Sequence, residues 1–178
     1  MLFLLAIVAG LGVGLLMGGR LQNLALLRFR WPWLIVGAIV VREVILLTPL
    51  NRVEGSQYAY LVALVVIVAW TNWHWRRIPG IWVISLGASL NVLVIAANGA
   101  RMPVAPELAG SSLLGRGTIG QYTVMGPGTN LNLLGDFIRL WPSREAYSPG
   151  DVLIAVGLAI VVFLAVRNPG AYEGVTRP

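Results

Sequence analysis

Asp136 and Asp151 are the only aspartates in a chain of 178 residues, and they stand at the two ends of the stretch DFIRLWPSREAYSPGD. Two carboxylates perform acid–base chemistry when one keeps a proton and the other gives its proton up. Such a pair would suit a hydrolase. Each aspartate also has a structural role open to it. Asp136 and Arg139 stand three apart, and on a helix they would pair on a solvated face for ~0.2–0.5 kcal/mol. Asp151 follows the turn Ser148-Pro149-Gly150 directly before an apolar run. There a carboxylate accepts free backbone N–H groups and meets the positive end of the helix dipole, worth ~1 kcal/mol. Structural punctuation is the better supported reading of both, and capping does not exclude chemistry.

Other reactive groups are few. His74, in WHWRR, is the one histidine, and with no second histidine or any cysteine nearby it reads as an interfacial residue, not a metal ligand or proton relay. The lack of cysteine removes disulfides, thiolate nucleophiles and cysteine zinc sites. No histidine stands near the serines after residue 98, so a Ser–His triad is excluded. GRGTIG (115–120) spells G-x-G-x-x-G but lacks the strand before and the helix after that a dinucleotide fold needs. No metal or cofactor is expected.

Arg42 and Glu43 fall in the middle of an apolar run. Charges at a bilayer centre cost ~2.5–3.5 kcal/mol each, so they turn inward and are candidates for function. Helix neighbours point ~100° apart, so the two need not satisfy each other and one should reach another helix. Asn91 lies at a similar depth, with Ser85 and Ser89 nearby. These residues form either an interhelical polar clasp or a polar cavity.

The elements that must position these groups follow from composition. The chain is 57% hydrophobic and 11% charged, with a mean hydropathy of +0.79, whereas soluble domains carry about 25% charge. Five windows suit membrane helices of about 20 residues: 1–19, 32–50, 58–75, 81–98 and 152–166. The chain is expected to be an all-α integral membrane protein with five transmembrane helices in one domain. The first window has no basic residue before it and no cleavage site after it, so it reads as a retained helix. Ala6, Gly10, Gly14 and Gly18 form a small-residue stripe along it, suited to close packing within the bundle.

Orientation follows from arginine placement in short loops. Arg20, Arg28 and Arg30 follow the first helix, Arg76 and Arg77 the third, and Arg167 and Arg177 the fifth. Arg52 after the second is balanced by Glu54. This puts the chain in the plasma membrane with its N-terminus outside, its C-terminus in the cytoplasm and the 99–150 loop outside. The net charge of +6 comes from arginines standing singly or in pairs, which does not make a nucleic-acid surface. Trp31, Trp33, Tyr58, Tyr60, Trp73, Trp75, Trp82 and Trp141 read as interfacial anchors.

Within the outer loop, LNLLGDFIRLW (131–141) carries apolar residues at helical spacing, with Asn132, Asp136 and Arg139 opposite. It reads as an amphipathic helix lying on the membrane surface. Asn98, Arg101, Met102 and Pro103, together with Asp136 and Asp151, are the loop's candidate binding residues.

NGARMP (98–103), LLGDFI around Asp136, SPGDVLIAVG at the last helix and GGRL (18–21) resemble a family of bacterial multi-pass membrane proteins known only as a domain of unknown function. SPGDVLIAVG is also similar to an element of the lipoprotein signal peptidases, which use two aspartates at the outer ends of helices. Where the first of those would stand this chain has Asn98, and an asparagine cannot share a proton with a carboxylate. Only Asp136, folded back, could replace it.

The preferred reading is a non-enzymatic membrane component whose outer loop binds a partner subunit or lipid headgroups. The alternatives are an outer-face hydrolase of a lipid-linked substrate using Asp136 and Asp151, and a small transporter using Arg42, Glu43 and Asn91. If Asn98, Arg101, Asp136 and Asp151 converge on one pocket, a site exists there.

Overall fold

The computed structural model describes residues 1–27, 29–141 and 145–167. Arg28 and Arg177, used in the orientation argument, lie outside them. The chain is mostly helical, and helices occupy all five apolar windows: α1 (Leu2–Leu16), α2 (Pro32–Leu47), α3 (Ser56–His74), α4 (Ile81–Ala97) and, after a short α5 (Ser111–Arg116), α6 (Pro149–Arg167). By length and composition α6 can cross a membrane, while α1 and α4 are shorter apolar helices.

The long helices form a row in which α1 packs on α6, α6 on α4, α4 on α3 and α3 on α2. The last helix is therefore inserted beside the first. Glycine makes this possible. A Cβ on Gly10 would enter the backbone of Ala159, and one on Gly14 would collide with Val166. The small-residue stripe thus packs within the chain, as expected, except that Gly18 has left the helix with φ +88° and faces open space. On the other side of α6, a Cβ on Gly157 would lie 2.7 Å from the Ile84 nitrogen, and one on Gly87 would lie 2.9 Å from the Ile154 nitrogen.

The faces that meet in this row mix polar and small residues with apolar clusters such as Ile45, Val94 and Ile95, and Trp70, Ile81 and Val161. Gln57, Tyr60, Ala63, Trp70, Thr71 and His74 are the buried residues of α3, while its Val62 and Val65 are exposed. In α4, Ser85, Gly87, Ala88 and Asn91 are buried and Leu86 and Leu93 are exposed.

Between α4 and α6 the chain is not all helical. β1 (Met102–Val104) pairs in parallel with β3 (Tyr122–Val124), and β2 (Thr118–Ile119) pairs antiparallel with β3. A second pair joins β4 (Ile138–Arg139) to β5 (Ala146–Tyr147). The amphipathic helix expected over 131–141 is not there, because long-range pairing captures its backbone. Leu131 has φ +55°, a 3-10 turn covers Asn132–Leu134, and Gly135 is extended with φ −80° and ψ −172°. The Asp136 N–H donates to the Pro103 carbonyl at 2.8 Å, and the Ala105 N–H donates to the Asp136 carbonyl at 2.9 Å. A Cβ on Gly135 would stand 2.6 Å from the Pro103 oxygen, so only glycine permits this approach.

His74 also departs from expectation. It is 1% exposed, with Nδ1 2.8 Å from the Trp70 carbonyl and Nε2 accepting the Arg30 N–H at 3.1 Å. With an acceptor at one nitrogen and a donor at the other, the neutral Nδ1–H tautomer satisfies both. The ring joins the end of α3 to the chain entering α2 and is enclosed by protein, not exposed.

Candidate functional site: a buried carboxylate cluster

The start of α6 shows why Asp151 is where it is. Ser148 is the residue before the helix, Pro149 opens it, and Asp151 is the third helical residue. The Ser148 Oγ accepts the Asp151 N–H at 2.9 Å, and an Asp151 carboxylate oxygen accepts the Ser148 N–H at 3.0 Å. This is a reciprocal capping box. Asp151 therefore punctuates the helix as expected, but as the inner partner, with Ser148 as the cap.

The other Asp151 oxygen is taken by α4. Asn91 Nδ2 donates to it at 2.8 Å, and Asn91 Oδ1 accepts the Ser148 hydroxyl at 2.8 Å. Gly150 lets the helices meet, since a Cβ there would collide with the Asn91 amide. Asn91, expected to partner Arg42 and Glu43, serves α6 instead.

Arg42 and Glu43 pair with each other, and Arg42 also reaches another helix, as expected, though at Tyr60 of α3 and not at Asn91. The guanidinium lies 5.9 Å from the centre of the Tyr60 ring. The two residues stand four to five residues from the end of α2 at Leu47, in the C-terminal half of the helix and just past its middle. The single polar site of Arg42, Glu43 and Asn91 is thus divided into an ion pair and a helix-capping amide. Of the two serines beside them, Ser89 bonds its own helix at the Ser85 carbonyl, 2.7 Å.

Asp136 completes the cluster. It is 7% exposed, and its Oδ1 has no hydrogen-bond partner. The solvated helix face expected for it, with Arg139 as partner, does not exist: in a strand-like backbone, residues three apart point to opposite sides. Burial first, and then the charge of Asp151, raise its carboxyl from 3.8 to about 8. The two aspartates, fifteen positions apart, therefore feel each other. Tyr60 from α3 lies within electrostatic reach of Arg42, Asp136 and Asp151. Burial, followed by Tyr60 and Asp136, pushes the Tyr122 phenol up as well. Residues of α2, α3, α4, α6 and β3 thus surround the two carboxylates, and burial favours the protonated form of Asp136.

The other candidates scatter. Asn98 closes α4 and clasps the loop: its Nδ2 donates to the Val94 and Asn130 carbonyls at 2.7 and 2.9 Å, and its Oδ1 accepts the Asn130 N–H at 2.7 Å. Met102 and Pro103 are buried in β1, where they hold the sheet and face no opening. Arg101 faces a separate cavity, its Nε donating to the Gly120 carbonyl at 3.2 Å. The GRGTIG stretch builds the β2–β3 hairpin, turning at Gly120 with φ +54°, which is incompatible with a dinucleotide loop.

Sequence reasoning missed Tyr60, Tyr122 and Ser148. Tyr60 reads as an interfacial anchor, yet the spacing Gln57, Tyr60, Ala63 marks one polar or small stripe on an otherwise aliphatic helix, and that stripe is the buried one. Among the described residues no group of three or more His, Asp or Glu side chains could hold a metal ion.

Residues 26–163 match the family model DUF5317, described as a family of unknown function. A protein of Thermotoga maritima described as an uncharacterized protein is 31% identical over 112 residues, which cover 60% of this chain and 65% of that protein. The chain thus spans about two thirds of that relative's length. No solved structure matches the chain.

Proposed function

The chain belongs to the DUF5317 family, and we propose that it is a multi-pass membrane protein whose loop end carries an acid–base site for a lipid-linked or membrane-anchored substrate. The membrane part of this reading is supported by an inverted surface. Leu4, Val8 and Leu16 of α1, Trp33, Val40 and Leu47 of α2, and Val62, Leu93 and Val156 on the other helices are all exposed. In water, apolar patches beyond a few hundred Å² are rare on a monomer. Helices of 15 to 19 residues reach about 22–28 Å at 1.5 Å per residue, close to a hydrocarbon core of ~30 Å. Arg20, Arg30, Arg76, Arg77 and Arg167 follow the helix ends opposite the loop, which is the cytoplasmic pattern. The loop end then faces outward, and Trp141, 93% exposed, reads as an anchor there.

The observation that carries the functional part is a buried Asp136, its carboxyl raised by burial and by the nearby charge of Asp151, whose own oxygens are hydrogen-bonded to Asn91 and Ser148. Two carboxylates in unlike environments divide the roles of acid and base. Asp151 takes a proton from an attacking water and Asp136 gives one to the leaving oxygen or nitrogen. Water adds across the broken bond, and a proton passing from Asp151 to Asp136 resets the pair.

A second reading is a non-enzymatic component in which the same residues only clasp loop to bundle; the bonds of Asp151 to Ser148 and Asn91 favour it. The amphipathic helix that motivated surface binding is no longer among its supports. One experiment separates the readings. Wild type and Asp136→Asn are placed in liposomes of lipid extracted from the native membrane, and lipids and anchored peptides are compared by mass spectrometry. A cleavage product formed by wild type alone is expected; identical profiles remove the hydrolase.

A further inference from the structure

Three arginines without a carboxylate partner ring a cavity at the loop end. It encloses about 260 Å³ between the α2–α3 connection and the β2–β3 hairpin, with Arg52, Arg101 and Arg116 in its lining. The ion pairs among the described residues join Met1 to Glu145 and Arg42 to Glu43, so none of the three is neutralised. Glu54 also lines the cavity, which leaves two positive charges over. Arg101 is held in place by its Nε bond to Gly120, so its two terminal amino groups stay free to meet a ligand. The walls are pinned together by Gly120, where a Cβ would collide with the Asn51 carbonyl. Gln57, in the floor, is buried and bonded through Oε1 to the Gly55 N–H at 3.0 Å.

We propose that this cavity binds a phosphate group. Guanidinium forks match the oxygens of a phosphate, and three converging on a cavity of this size suit one phosphate with room for its substituent. Aliphatic or cationic ligands gain nothing from such a lining. The phosphate can be an inorganic ion or the headgroup of an anionic lipid.

The cavity and the carboxylate cluster draw on neighbouring stretches of the same two elements. Gln57 and Tyr60 lie one turn apart on the buried face of α3, and Tyr122 follows Gly120 by two residues. On the acid–base reading, a lipid bound here is a candidate substrate; phosphate binding does not rest on that reading.

The test uses the full chain in a maltoside detergent, with inorganic phosphate and dihexanoyl phosphatidic acid titrated separately by calorimetry. Saturable binding of either probe is expected, weakened at least tenfold in Arg52→Gln/Arg116→Gln and unchanged in Arg139→Gln. Arg52, Arg116 and Arg139 are exposed, so their removal spares the core. Binding of the lipid alone identifies a headgroup site, and binding of free phosphate alone identifies an ion site. Dissociation constants weaker than about 10 mM for both probes, or equal loss in the Arg139 control, overturn the proposal. Asp136→Asn should bind as wild type does, so intact binding without turnover separates failure of the hydrolase from failure of this site.

Discussion

Asp136→Asn should make the protein more stable above neutral pH and leave it unchanged in acid. The wild-type carboxyl has its folded value raised from 3.8 to about 8. For an acid raised in this way, the folded state keeps its proton while the unfolded chain ionises. The stabilising contribution is therefore complete below about pH 4 and is lost as pH climbs toward 8. About four pH units at 1.36 kcal/mol each put the loss on the order of 5 kcal/mol. Asparagine has nearly the same shape and no charge, so the variant should have no such slope. In a chain of this size each kcal/mol moves Tm by about 2–4 °C, so the two proteins should separate by roughly 10 °C or more at pH 8. The assay is thermal unfolding in detergent at intervals from pH 4 to pH 9, followed by tryptophan fluorescence. Parallel curves, or a less stable asparagine variant at pH 8, would refute the burial of a protonated carboxyl.

Ser148→Ala removes the cap of α6 and leaves the Asn91 Oδ1 without its donor, so a loss of about 1–3 kcal/mol is expected in the same assay. Gly120→Ala places a Cβ against the Asn51 carbonyl at a positive φ; it should abolish phosphate binding while the tryptophan fluorescence of the helices stays native. Gly10→Leu forces α1 off Ala159 and should lower Tm by several degrees, as overpacking costs about 1–3 kcal/mol or more. Because the chain has no cysteine, Asn130→Cys and Arg77→Cys report on orientation: an impermeant maleimide applied to intact cells should label the first and spare the second, and the reverse would invert the proposed topology.

Much of the helical frame could be read from the residues. Apolar runs mark α1 to α4 and α6, the spacing of Gly10 and Gly14 marks their close packing, and S-P-G-D contains a capping box whose members lie three apart. These are local properties. A helix closes its own hydrogen bonds within four residues, so hydropathy and punctuation suffice to place it. The 131–141 stretch fails for the opposite reason. Its periodicity is helical, but the backbone of Asp136 is bonded to Pro103 and Ala105, some thirty residues earlier. No pattern inside the segment encodes that partner.

The sequence by itself determined where the long helices run, which of their faces accept a close neighbour, and that two aspartates frame one loop. Only the tertiary structure decided that Asp136 is buried, that His74 is enclosed, that Asn91 holds Asp151 rather than Arg42, and that three distant arginines share a cavity. The reason is physical: a charge takes its proton affinity from its surroundings, and those surroundings are assembled by contacts between segments far apart in the chain.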